Sequence, residues 1–138
     1  MKAKAVLVVV AVLAIALLAA WSWGALGRSD IANALKASDL RGDVLAARAA
    51  VLDARVAIYS VNFGEASGHL EDARALLGRA DKRLASLGRD DEAARVQTAL
   101  TSIDEAQRMA GKLDQSANAR AGVAAKILAE VLDTQAKR

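Results

Sequence analysis

The chain has 138 residues, no cysteine, no proline and a net charge of +3. Lacking Cys, it has no disulfide, thiolate metal site or lipidated N-terminal cysteine. The excess charge sits at Lys2, Lys4 and Arg28, which flank one apolar run. Residues 30–138 are balanced and interleave their charges, which excludes the concentrated positive surface a nucleic-acid binder needs.

Residues 5–23 (AVLVVVAVLAIALLAAWSW) form that run, with Ser22 as its only polar member. As a helix at 1.5 Å rise it spans about 28 Å, close to the ~30 Å hydrocarbon thickness of a bilayer. The expectation is a transmembrane signal anchor over 5–23, with residues 1–4 cytoplasmic and 24–30 a hinge. Lys2 and Lys4 hold the N-terminus in the cytoplasm, and Trp21 and Trp23 mark the far interface. The soluble domain, 31–138, would then be periplasmic or extracellular, on the inner membrane of a bacterium; Arg outnumbers Lys and Ala is the commonest residue, which suggests a high-GC gene. The alternative is a cleaved signal peptide, since small residues surround Ala20-Trp21-Ser22 and Ser22-Trp23-Gly24. Its apolar core would be longer than the usual 7–15 residues. Ala16, Ala20 and Gly24 recur every four residues, a spacing that permits close helix approach but also arises in any Ala-rich span.

Beyond the hinge, Ser29 or Asp30 is placed to cap a short helix over 31–40, and Arg41-Gly42-Asp43 reads as a kink or turn, with Asp43 capping a next helix that runs to about Ser60. One Gly costs only ~1 kcal/mol, so an unbroken helix from residue 30 is the competing reading. The stripe Leu45, Leu52, Val56, Tyr59 and Phe63 marks its expected apolar side. Val61-Asn62-Phe63-Gly64 is the clearest turn. The next helix, over 65–87, carries Leu70, Ala73, Leu77, Ala80, Leu84 and Leu87 at alternating spacings of three and four, a narrow a/d-type seam. Gly88 fits a C-terminal cap and Asp90 or Asp91 a new N-cap. A final helix runs from Glu92 towards the end; Val96, Leu100 and Ile103 start its stripe, Ala110, Leu113 and Ala117 continue it weakly, and Ala124, Ile127, Leu128 and Val131 restore it. Residues 111–118 (GKLDQSAN) are its poorest part and a candidate break. The expected fold is all-α: an N-terminal transmembrane helix followed by a small antiparallel hairpin or three-helix bundle. Its thin Leu/Ala seams make packing against a second copy or another protein plausible.

Asn62-Phe63-Gly64-Glu65-Ala66, followed by Leu70 and Ala73 and preceded by Ala54, resembles one tetratricopeptide (TPR) unit. In that family an aromatic sits in the turn and Glu-Ala opens the second helix, with a large and then a small residue downstream. The sequence departs from the pattern at Asp53, where the family has a large apolar residue, and at Gly78, where it favours Pro. The match covers one unit of about 34 residues, where stable arrays have three or more. The resemblance implies a helical hairpin used for protein contacts.

No residue set names a reaction. His69 is the only histidine and has Glu65 as its single companion at helical spacing, an incomplete ligand set. Gly64-x3-Gly68 lacks the Lys-Ser/Thr of a phosphate loop. Asp90-Asp91 and Glu71-Asp72 fall at helix starts or on charged faces, where the macrodipole and solvation account for them. No catalytic, metal or cofactor residue, no small-molecule substrate and no nucleic acid is expected. The candidate partner residues are Tyr59 and Phe63, read either as a staple for the turn or as aromatic anchors of an interface. The expected function is a non-catalytic, membrane-anchored scaffold or accessory subunit that binds a protein partner or itself.

Overall fold

In the computed structural model the backbone is described for residues 2–137 and the side chains from residue 30. Four helices follow one another: α1 (Lys2–Tyr59), α2 (Phe63–Ser86), α3 (Asp90–Ala110) and α4 (Ala117–Ala136). Residues Met1–Lys36 group as one unit and Ala37–Arg138 as another. The apolar run, with Lys2, Lys4, Trp21 and Trp23, lies outside the residues whose side chains are described. Among the described residues no helix is long and apolar enough to cross a membrane.

Of the two readings of residues 41–43 the unbroken helix is the one observed: α1 continues through Gly42, around which a side chain would meet nothing within 4 Å, and the kink is corrected. A second expectation is also corrected. The C-terminal stretch is two helices separated by residues 111–116, so the bundle has four helices instead of three. Gly111, Asp114, Ser116 and Asn118 cluster there, and such residues favour turns over helix interiors.

Polar contacts between helices fix the neighbours. Asp43 on α1 is held by Arg79 at 3.2 Å and by Arg83, both on α2. Arg74 on α2 reaches Asp104 on α3 at 3.3 Å, and Glu105 on α3 accepts from Arg120 on α4 at 3.1 Å. Arg55 on α1 and Asn118 on α4 exchange two bonds of 3.0 Å, Arg55 Nε to Asn118 Oδ1 and Asn118 Nδ2 to the Arg55 carbonyl. Gly122 leaves room for that guanidinium, whose carbon lies 3.5 Å from where a Cβ would stand. Each pairing runs antiparallel, so Ala37 onwards is an up-down-up-down four-helix bundle.

Alanine lines much of the core. Ala47, Ala54, Ala73, Ala80, Ala99, Ala106, Ala121 and Ala124 are all fully buried, between Leu40, Val44, Val51, Leu70, Leu77, Leu84, Val96, Ile103 and Leu128. Small side chains let backbones come close, and α3 approaches both α2 and α4 within 8 Å between Cα atoms. The expected α2 seam from Leu70 to Leu84 is buried, so it is used inside the chain. The expected α1 stripe is corrected. Leu45, Val56 and Tyr59 are exposed, and the buried face is Leu40, Val44, Ala47, Val51, Ala54 and Ile58.

Candidate functional site

The turns α1/α2 and α3/α4 lie at the same end of the bundle. A second cluster of buried residues draws Ala57, Ile58, Phe63 and Ala66 from the first turn together with Ala110 and Ala117 from the second. The opposite end carries only the α2/α3 turn.

All three turns close with the same hydrogen-bond scheme. After α2, the Arg89 N–H donates to the Leu84 carbonyl at 3.0 Å and the Gly88 N–H to Ala85 at 3.2 Å. This is the Schellman arrangement, whose central residue is left-handed and is usually glycine. Gly88 has φ +64°. After α1, Asn62 N–H donates to Ala57 at 2.8 Å and Val61 N–H to Ile58 at 3.0 Å. After α3, Asp114 N–H donates to Met109 at 3.0 Å and Leu113 N–H to Ala110 at 2.9 Å. Here the left-handed positions hold Val61 (φ 61°) and Leu113 (φ 58°). A Cβ in that region costs roughly 1–2 kcal/mol, and a branched side chain makes it a genuine outlier. Neither side chain recovers that cost by burial, since Val61 is 61% exposed and Leu113 69%.

Local polar groups hold both turns in place. The Asn62 side chain accepts from the Glu65 N–H at 3.3 Å and donates to the Glu65 carboxylate at 2.6 Å, a side-chain variant of the capping box. Asp114 accepts from the Ser116 N–H at 2.8 Å. Hydrogen bonds from the Ser116 side chain first, and from its backbone second, hold the Asp114 carboxyl below its ordinary value.

The two candidate aromatics part company. Phe63 is buried at 7% exposure and fills the second cluster, so it supports the turn from inside. Tyr59 is 83% exposed and makes no staple with it. Beside Tyr59 stand exposed Val56 and Val61, and across the same end stands Leu113. Val56 and Leu113 were expected on buried stripes. The signal available for Val61 was a branched residue in a position where a helix–helix turn normally takes Gly.

Two clefts flank these apolar groups. One, between α1 and α2, is lined by Asp53, Val56, Asn62, Glu65 and His69 among others. Its carboxylates are Asp53 and Glu65, and His69 stands 3.8 Å from Glu65. The other, between α3 and α4, is lined by Glu105, Arg108, Met109, Lys112 and Arg120. Cations outnumber carboxylates there. Among the described residues no group of three or more His, Cys, Asp or Glu could hold a metal ion. No family model, curated protein or solved structure matches the chain.

Proposed function

We propose that the chain is a single-pass membrane-anchored helical scaffold or accessory subunit, non-catalytic, that works through protein contacts at the cell envelope. The observation that carries this reading is that four of the eight large apolar side chains exposed among the described residues, Val56, Tyr59, Val61 and Leu113, lie at the end of the bundle that bears two turns. Exposed aromatic and branched groups gathered in one place mark interaction surfaces. The TPR-like α1/α2 hairpin agrees with such a role. The apolar run over 5–23, with Lys2 and Lys4 before it and Trp21 and Trp23 at its end, supports the anchor. Tethering in two dimensions raises the effective concentration of a weak binder near other membrane-bound partners.

Membrane fractionation under alkaline extraction, with N-terminal sequencing of the recovered protein, tests the anchor. A membrane-retained chain beginning at Met1 or Lys2 is the expected result. Soluble protein beginning at Trp23 or Ala25 would replace this reading with a secreted or periplasmic helical protein released by cleavage. A reporter fused after residue 60 is expected to be active only outside the cytoplasm.

A further inference from the structure

We infer that the end bearing the α1/α2 and α3/α4 turns is a self-docking surface whose occupant is a second copy of this chain. The inference deepens the protein-contact reading above by naming the partner.

The three turns supply the first argument. One bundle closes the same hydrogen-bond scheme three times. It uses Gly88 at the end with a single turn, but Val61 and Leu113 at the end with two. Glycine would serve the fold better at both positions, because neither side chain is buried. Backbone strain held where the fold gains nothing points to a function for the side chains it presents. With Tyr59 and Val56 they make an apolar centre drawn from both turns.

Charge identifies the occupant. The α1/α2 cleft carries Asp53 and Glu65 around Val56, and the α3/α4 cleft carries Arg108, Lys112 and Arg120 with Glu105 around Met109. With His69 left out, the formal charges of the first cleft sum to −2 and those of the second to +2, or +1 with Asp114 beside Lys112. The chain therefore holds both halves of a complementary pair at one end. A two-fold axis through that end lays the acidic corner of each copy over the basic corner of the other, the self-complementary arrangement of a symmetric dimer. Val61 and Tyr59 of one copy then meet Leu113 of the second. A lipid surface fits less well, because Asp53, Glu65 and Asp114 offset the cations Arg108, Lys112 and Arg120 that would draw this end to anionic headgroups.

The absence of native Cys makes thiol crosslinking unambiguous. Full-length tagged Val61→Cys chain is mixed with untagged Leu113→Cys chain in mild detergent and in vesicles, then treated with a short bis-maleimide. The expected product is the 61–113 pair, favoured over 61–61 and 113–113. Reversing one corner (Asp53→Lys, or Arg108→Glu) is expected to weaken pairing about tenfold. The double variant carrying both reversals is expected to regain it. Both groups lie on the surface and outside the turn caps, and unchanged circular dichroism checks each fold. Monomer alone, products without preference, pairing indifferent to the reversals, or no recovery in the double variant would overturn the inference. Quenching of a label at residue 61 by lipid-borne quencher would overturn it in favour of the membrane. Fractionation separates this outcome from the anchor, since a membrane-retained chain that never pairs fails here alone.

Discussion

Arg89 and Glu92 form an almost dry ion pair at the start of α3, with both Nε (2.8 Å) and Nη2 (2.7 Å) donating to one carboxylate oxygen. The side chains are 12% and 2% exposed, and Gln135 of α4 donates to the other oxygen at 3.4 Å. The pair joins the α2/α3 turn to the last helix, and the helix N-terminus favours the carboxylate. Breaking a buried pair costs more than the pair itself contributes, because the remaining charge loses two of its donors in a dry site. Arg89→Ala is expected to destabilise the bundle by about 3 kcal/mol, and Arg89→Lys by less. Thermal melting followed by circular dichroism checks the order.

One leucine on α1 and one on α2 make a second prediction. Leu45 is 47% exposed and Leu77 fully buried, though both are large apolar residues on helices. Leu77→Ala should cost roughly 2–5 kcal/mol through lost transfer energy and a residual cavity. Leu45→Ala should stay within about 0.5 kcal/mol. Equal losses at the two positions would mean that α1 presents a different face from the one described.

That contrast explains what was legible in the sequence. The α2 seam was readable because Leu and Ala alternate along it with polar residues between. In α1 Leu40 and Ile58 are buried at the two ends, but between them the buried face is carried by Val44, Ala47, Val51 and Ala54, while Leu45 and, further on, Tyr59 point outward. A pattern weighted by side-chain size selects the wrong face when close helix approach makes alanine the fitting core residue. The break before α4 showed as a run of poor helix formers, but its position depended on Leu113 turning left-handed, which no propensity favours. The candidate surface was only half legible. Two aromatics at helical spacing looked like a pair, yet one became core and the other stayed in solvent, because the chain turns between them.

The left-handed positions predict an unusual gain. Val61→Gly and Leu113→Gly remove the steric cost of a Cβ while surrendering little burial, although glycine also enlarges the unfolded ensemble. The net expectation is a stability increase of up to about 1 kcal/mol at each site, alongside loss of self-association. Gly88→Val should do the reverse. Nothing lies within 4 Å of a Cβ there, so its cost of about 1–2 kcal/mol is backbone strain alone. Denaturant unfolding of the three variants, set beside their crosslinking yields, separates a stabilising role from an interaction role. Destabilisation by Val61→Gly would show that the valine serves the fold.

Asp114 gives a prediction with a defined pH sense. Its carboxyl is held below the ordinary value of 3.8 by the Ser116 side chain first and its backbone N–H second, with a smaller contribution from the nearby Lys112 charge. A carboxyl depressed in the folded state binds its proton more readily when unfolded. Its contribution to stability is therefore complete above the unfolded value and fades as pH falls through the lower folded one. Nothing changes near neutrality, so the turn around Leu113 keeps its shape under ordinary conditions. Ser116→Ala removes the first cause but keeps the backbone donor, and should move the Asp114 midpoint upward without reaching the full unfolded value. Carbon NMR of the side-chain carboxyl against pH reads this directly. An unmoved midpoint would transfer the depression to the backbone bond and to Lys112, and the hydroxyl would then have no part in holding the turn.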